Sequence, residues 1–436
     1  MLTGRNNHAV GFGSVGEFSS GFPGYTAMVP GDCTPWPRVL AGNGYSTAAF
    51  GKWHLTPDGQ QGPAGPLGRW PNGWGFDYFY GFLGGDAGQW DPCLAENQKI
   101  IGTPDGFYDQ ENPYYLPDAM ADKTIEWLHG VRAQDARKPF FAYFSTGCSH
   151  APHHVAPEWA DKYKGKFDQG WDRLREEIFA RQKELGVIPA DAELTPRDAA
   201  FPAWDDVPDK LKAYYARQME VYAGYSENAD HNVGRVIDAI DELGELDNTL
   251  IIWIWGDNGA SMEGTITGSF NEMTMQNGIP LSDEMQLQLA ERFGGIGARG
   301  GQMMDPHYSA AWAWAGNTPF QWGKQVGSHL GGTRNPMVIQ LAGADHRHRR
   351  AALALHPRHR RRADHTRHRR DPGPLPCRRD QPGALPRCDV RGLAGGCGRA
   401  GTPHPAVLRD HRQPCHVQGR LVAGHEDAAD PVGGHP

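Results

Sequence analysis

The last quarter of this 436-residue chain is defined by the residue types it lacks. Residues 341–436 contain no lysine, phenylalanine, tyrosine, tryptophan, isoleucine, methionine, serine or asparagine. The segment holds 18 arginines and 9 acidic residues, so it carries +9, while residues 1–340 carry −17 and the whole chain −8. Apolar side chains this scarce cannot offset the entropy cost of ordering the backbone, and we expect residues 341–436 to be largely disordered.

Other absences exclude whole classes of protein. No run of 18 or more apolar residues is present, so we predict no membrane-spanning helix. Only Cys33, Cys93 and Cys148 precede residue 341, too few and too scattered for a disulfide framework. The four later cysteines show no Cys-x-x-Cys spacing, which argues against a zinc module.

Residues 44–54 (GYSTAAFGKWH) contain a short apolar strand candidate that ends in glycine and is followed by Lys52 and His54. Positions i and i+2 of an extended backbone point to the same side, so these two side chains can face one pocket. Ligands of open α/β sheets bind beyond the carboxyl ends of strands, which is where this pair falls. A lysine beside a histidine suits an oxygen-rich anion. Taken alone, the segment also fits a strand end with a solvated lysine and a structural histidine.

A second apolar run, residues 249–255 (TLIIWIW), predicts a strand buried on both faces of a parallel sheet. It stops at Asp257 and Asn258, which stand between two glycines. A carboxylate and an amide oxygen are hard ligands that suit Ca²⁺ or Mg²⁺ better than zinc. The alternative is an ordinary Asx turn.

Two further segments complete the set. Residues 139–144 (PFFAYF) predict a buried strand, and His150 lies in the loop that follows it. Lys324 lies shortly before the strand candidate at residues 337–339. Each residue alone is easily explained as structural or solvated. Four strand-end segments that together carry Lys, His, His, Asp-Asn and Lys indicate one site for an anion and a metal.

This constellation resembles the sulfatase family, and specifically its arylsulfatase branch. Residues 44–54 resemble the second sulfatase signature. Asp257 and Asn258 resemble the family's late metal-ligand pair, and residues 150–152 resemble its His-any-Pro loop. Lys324 resembles the second sulfate-binding lysine. The similarity covers residues 1–340, including non-catalytic stretches such as residues 158–168 and 218–224. It implies a large, mostly parallel α/β sheet flanked by helices, of the alkaline-phosphatase-like type.

The resemblance also implies roles. In this family a formylglycine hydrate attacks the sulfur of a sulfate ester, and Ca²⁺ and lysines neutralise the sulfate oxygens. By resemblance, Lys52 and Lys324 bind the sulfate of a small-molecule ester. His54 holds or deprotonates the nucleophile, and His150 with Lys324 assists the leaving oxygen. Asp257 and Asn258 hold Ca²⁺.

The sequence departs from the family pattern at its beginning. Formylglycine derives from a cysteine in a Cys-any-Pro-Ser-or-Thr-Arg run, which closes with Leu-Thr-Gly-Arg a few residues later. Here Leu-Thr-Gly-Arg occupies residues 2–5, with neither that cysteine nor the family's tandem aspartates before it. Cys33 begins a similar run ending at Arg38, but with one residue inserted and on the wrong side of Leu-Thr-Gly-Arg. We therefore expect a catalytic domain, residues 1–340, that is incomplete at both ends and inactive.

Two explanations fit the arginine-rich tail: a basic arm that binds nucleic acid, or translation in a shifted reading frame. Plausible codons for the stretches that relatives carry after this point, read one base out of phase, reproduce residues 341–348 closely and residues 358–365 in large part. We therefore favour the frameshift and expect no nucleic-acid partner.

The chain's compartment, cytoplasm or periplasm, and its oligomeric state stay open. The alternatives for function are a phosphonate or phosphate monoester hydrolase of the same superfamily and a non-catalytic gene remnant.

The remaining pattern is that of an α/β enzyme. Residues 230–243 predict an amphipathic helix, with Gly244 as its C-cap, that leads into the strand at residue 249. Residues 171–209 are charged and proline-bearing and predict a surface excursion that covers the site. Residues 260–318 show no clear period and predict a long loop near the pocket.

Overall fold

The computed structural model describes residues 1–102, 113–279 and 281–341. The predicted disordered tail, apart from Leu341, lies outside the described residues. In the part of the chain that is described, no helix is long and apolar enough to cross a bilayer.

A five-stranded mixed sheet forms the centre of the described chain. Its strands are β1 (Ser46–Lys52), β2 (Tyr78–Phe82), β3 (Leu94–Glu96), β4 (Lys99–Gly102) and β5 (Phe140–Ser145), in the order β4-β3-β2-β1-β5. Strand β1 pairs in parallel with β2 and β5, whereas β3 pairs antiparallel with both β2 and β4. The predicted α/β class is confirmed, and the parallel pairings are those around β1.

Strand β1 is central because its residues are small or apolar on both faces. Ala48 and Phe50 point to one side and pack with Leu116 and Met120, while Ala49 points to the other side. There it joins a cluster that includes Trp53, Trp70, Trp74 and Phe76. Residues 47–50 are all at most 1% exposed, the burial that a strand between two layers requires.

The helices are α1 (Trp36–Gly42), α2 (Leu116–Gln134), α3 (Pro157–Asp161), α4 (Gly170–Glu184), α5 (Asp209–Glu242), α6 (Glu272–Gln276), α7 (Asp283–Arg292), α8 (Ala310–Gly316) and α9 (Leu330–Thr333). Helix α2 covers one face of the central sheet. Helix α5 packs on α2 through Val236 and Ile240. The predicted helix at residues 230–243 is therefore the last part of a much longer one, and Gly244 follows it at φ 72°.

Residues 249–255 contain a strand, as predicted, but the prediction that it is parallel and buried on both faces is wrong. These residues form strand β6 (Leu250–Ile254), which pairs antiparallel with β7 (Met337–Leu341) in a separate two-stranded sheet. Leu250 is 56% exposed and Ile252 49%, so the strand is not buried on both faces. An apolar run shows that a strand seeks burial, but it does not reveal its partners or their direction.

Two predicted irregular regions contain regular structure. Residues 260–318, predicted as a loop, include α6, α7 and α8. Helix α4 begins the predicted surface excursion, and Trp171 on this helix packs edge-to-face against Trp312 of α8. The guanidinium of Arg175, also on α4, is buried and donates to the Trp314 carbonyl at 2.9 Å. The alanine- and tryptophan-rich helix α8 thus anchors the excursion, a contact that no local periodicity shows.

Candidate functional site

Lys52 is the last residue of β1, at the carboxyl end of the central sheet. Before it, Gly51 has φ 93°, and a Cβ at this position would lie 2.1 Å from the Ser145 carbonyl oxygen of β5. Only glycine allows the two strands to approach this closely. Trp53 packs into the core at 4% exposure. Trp53 thus points away from the site, and His54 follows it with φ 55°, so the extended backbone ends before His54.

His54 contacts an acidic residue from the beginning of the chain. Its Nε2 lies 3.1 Å from both carboxylate oxygens of Glu17. Burial raises the pKa of Glu17, but a backbone hydrogen bond and the charges of His54 and Lys52 outweigh burial, so the pKa lies below its usual value. Gly85 closes over this pair, since a Cβ there would lie 2.8 Å from His54 Nε2 and 2.9 Å from Glu17 Oε1.

His150 and Lys324 meet although they are far apart in the sequence. The Nζ atom of Lys324 lies 3.1 Å from His150 Nε2. His150 Nδ1 lies 2.6 Å from the Ala151 carbonyl oxygen, which can only accept, so Nδ1 carries the proton. Burial lowers the pKa of His150 to about 3, and the charges of Lys52 and Lys324 lower it as well. At neutral pH His150 is therefore neutral, and its Nε2 accepts a hydrogen bond from the lysine.

The charges of these segments influence one another. Burial lowers the pKa of Lys52, Asp257 opposes that shift, and Lys324 adds to it. The structure thus brings Lys52, His150, Lys324 and Asp257 into one neighbourhood. His54 joins it through Glu17, which also interacts with Lys52.

Asp257 and Asn258 stand where the sequence predicts them, just beyond β6. Asn258 donates from Nδ2 to Asp257 Oδ1 at 2.6 Å. Gly259 follows, and a Cβ there would collide with the Gly331 carbonyl oxygen at 1.6 Å. The turn is thus built for close backbone approach to the segment after Lys324.

A calcium ion would find only part of its ligands here. Asp257 and Asn258 offer oxygen donors of the right kind, but Ca²⁺ takes six to eight oxygens. Among residues 1–102, 113–279 and 281–341, no group of three or more His, Cys, Asp or Glu side chains is placed to hold a metal. The residues present therefore fit calcium incompletely.

Sequence reasoning missed two acidic residues that directly contact the cations of the site. Glu263 accepts from Lys324 Nζ at 2.7 Å, and Glu17 contacts His54. Glu17 lies in a segment without periodicity or a strand end, so nothing local marks it. Glu263 lies six residues after Asp257. A search for acidic partners of the site's cations, made close to the recognised motif, would have found it.

Neither Cys33 nor Cys148 is placed as an activated nucleophile. Cys33 is buried with its Sγ 3.7 Å from Asp32 Oδ1, and Arg38 of the same run donates to the Gly73 carbonyl. Cys148 donates to the Tyr225 carbonyl at 3.3 Å, and burial raises the pKa of its thiol well above the usual value. Cys93 is exposed.

Comparison with known proteins identifies the lineage of this chain. A family model described as Sulfatase matches residues 1–360. The chain belongs to the sulfatase family. An uncharacterized sulfatase of Schizosaccharomyces pombe is 31% identical over 360 residues, covering 78% of this chain and 60% of that protein. The arylsulfatase of Klebsiella aerogenes is 26% identical over 355 residues, covering 79% of this chain and 70% of that enzyme.

A third relative is named for a different substrate. The N-acetylglucosamine-6-O-sulfatase of Bacteroides thetaiotaomicron is 26% identical over 288 residues, covering 55% of this chain and 47% of that enzyme. The chain thus spans between about half and 70% of the length of these curated sulfatases. The predicted resemblance to the sulfatase family is confirmed.

Proposed function

We propose that this site binds the sulfate group of a small-molecule sulfate ester, as in a sulfuric ester hydrolase of the arylsulfatase type. The observation that carries the proposal is the convergence of Lys52 and Lys324 on a neutral His150, with Lys324 Nζ 3.1 Å from His150 Nε2. Two cations from separate parts of the chain, Lys52 at the end of β1 and Lys324 in the loop between α8 and α9, suit a tetrahedral anion with several oxygens. The relatives named arylsulfatase and N-acetylglucosamine-6-O-sulfatase support the same chemistry.

The protonation state of each side chain determines the role that we assign to it. Lys52 supplies positive charge to the sulfate oxygens from the end of the central sheet. The Lys324 ammonium bears the mobile proton nearest to His150, because His150 holds its own proton on Nδ1 against the Ala151 carbonyl. We therefore assign Lys324 to donate toward the leaving oxygen and His150 to orient the ammonium. His54, held by Glu17, is the base that would accept a proton from an attacking hydroxyl.

Sulfatases use two further groups, formylglycine and calcium. Formylglycine supplies the nucleophilic hydroxyl where it is present, but no cysteine of this chain lies in the run that gives rise to it. Calcium neutralises sulfate oxygens, and Asp257 with Asn258 would contribute two of its ligands. We infer that the chain as written binds sulfate esters without measurable turnover, because groups that only bind and polarise do not replace a nucleophile.

Calorimetric titration with 4-nitrophenyl sulfate tests the proposal. We expect Lys52→Ala and Lys324→Ala to weaken binding by about tenfold each, the loss typical of a charged hydrogen bond. Lys123→Ala is the matched control, because Lys123 pairs with Glu126 on the exposed side of α2. Equal binding by all three variants and the parent chain would refute the proposal.

The same preparation distinguishes the alternatives. If the site belongs to a phosphate monoester hydrolase, 4-nitrophenyl phosphate binds more tightly than the sulfate. Release of 4-nitrophenol that is lost on Lys52→Ala would show that the chain is active, and would contradict our inference that it lacks a working nucleophile.

A further inference from the structure

Glu263 lies among three hydrogen-bond donors beside the site. Its Oε2 accepts from Lys324 Nζ at 2.7 Å and from Ser261 Oγ at 2.8 Å. Its Oε1 accepts from Gln325 Nε2 at 2.7 Å. Both carboxylate oxygens are therefore occupied, and the plane of the carboxylate is fixed by groups on two different loops.

The same contacts decide where the head of Lys324 can be. A lysine ammonium has three donors on a flexible four-carbon stem, so one contact leaves its position loosely defined. Here Glu263 takes one N–H and His150 Nε2 takes a second at 3.1 Å. The backbone beneath is fixed as well, because Lys324 N–H donates to the Ala260 carbonyl at 3.0 Å. A single N–H remains for a ligand, and its direction follows from the other two.

We propose that Glu263 is a positioning residue, whose carboxylate holds the Lys324 ammonium against His150 and directs its remaining N–H toward the bound sulfate. The meaning of this contact for catalysis rests on the proposed function. The contact itself concerns only Glu263, Lys324 and His150. The pKa of Glu263 agrees with the assignment. Burial raises this pKa, but Lys324 and Ser261 lower it by more than burial raises it, so the carboxylate is charged.

The competing explanation is an incidental surface pair. The Glu263 side chain is 40% exposed and that of Lys324 19%, and exposed pairs often contribute little. The two explanations differ in what happens to His150. If Glu263 positions the lysine, its removal releases the ammonium from His150 Nε2. If the pair is incidental, the lysine stays where it is.

Nitrogen-15 NMR of His150 at neutral pH tests this directly. We expect the Nε2 resonance of the parent chain to show a hydrogen-bonded acceptor nitrogen. Lys324→Ala should shift it to the position of a free imidazole nitrogen, and Glu263→Ala should shift it equally. Glu263→Gln, which keeps an acceptor oxygen for the ammonium, should restore at least half of the shift. The matched control, Glu126→Ala, should leave it unchanged. A resonance unaltered by Glu263→Ala, in a variant with the parent's unfolding midpoint, would overturn the proposal.

Binding of 4-nitrophenyl sulfate provides the second readout. Glu263→Ala should weaken binding by about tenfold, as Lys324→Ala does, because both remove the same directed donor. The double variant should then be no weaker than Lys324→Ala alone. Losses that multiply, or tighter binding after removal of a negative charge, would overturn the positioning role. If the parent chain binds no sulfate ester, the proposed function fails, and the His150 resonance still decides whether Glu263 positions Lys324.

Discussion

The two sheets in the described part of the chain differ in what surrounds their strands, although the strand with the more apolar sequence, β6, is the less buried of the two. Strand β1 lies between β2 and β5 with packed layers above and below, and Phe50 is fully buried. Strand β6 has one partner in the described chain, and Ile252 is half exposed. The site draws on both: Lys52 and His54 extend from β1, and Asp257 and Asn258 from β6. One side of the site therefore rests on a rigid core and the other on a two-stranded ribbon.

The comparison is tested most strongly by truncating one apolar side chain in each sheet. We expect Phe50→Ala to lower the free energy of unfolding by about 3–5 kcal/mol, because it leaves a cavity between β1 and α2. Ile252→Ala should cost about 1 kcal/mol, since half of its side chain is already in water. Urea unfolding measures both values. Equal losses would mean that β6 is covered as well as β1.

A smaller difference in stability is expected between alanine substitutions at two glycines, Gly51 within β1 and Gly44 just before it. Gly51 and Gly44 both have positive φ, of 93° and 90°, so alanine costs about 1–2 kcal/mol of backbone strain at either position. At Gly51 the new methyl group would also meet the Ser145 carbonyl oxygen, whereas nothing lies within 4 Å at Gly44. Gly51→Ala should therefore be clearly the more destabilising of the two in thermal melts. If the variants melt together, β1 and β5 can separate without cost.

The smallest expected effect is that of calcium. With two of its six or more ligands supplied by Asp257 and Asn258, the ion should bind weakly. An added concentration below the dissociation constant stabilises by less than about 0.4 kcal/mol. Thermal midpoints with and without millimolar CaCl₂ should nearly coincide, in the parent chain and in Asp257→Ala alike. A tight isotherm that disappears in Asp257→Ala would show that the ribbon carries a complete site.

Sequence reasoning succeeded where a signal is local. The strand before Lys52, the helix that ends before Gly244 and the α/β class follow from apolar runs and glycine punctuation. It failed where partners are distant in the chain. The direction and exposure of β6 depend on β7, and the order in residues 260–318 depends on tryptophan contacts with α4. Nothing in either segment encodes these neighbours.

The same division applies to the site. Lys52, His150 and Asp257 could be singled out because each ends or follows a strand, and Lys324 because it precedes a strand candidate; the structure brings the four together. The catalytic and metal-binding roles of the predicted residues stay predictions. Glu17 and Glu263 were not predicted, because a carboxylate that neutralises a lysine or a histidine has no sequence pattern of its own. Such residues are found only when the cations they face have been located.

The pairing of β6 with β7 has a consequence for the order in which the site forms. Ile254 lies opposite Met337, so the ribbon closes a long stretch of chain and gains little buried surface in return. Contacts of this kind form late in folding and open first in the native state. Amide protons of Leu250–Ile254 should exchange with solvent well before those of Ser46–Lys52. During folding, Asp257 and Asn258 would then arrive after Lys52 and His54 are already in place.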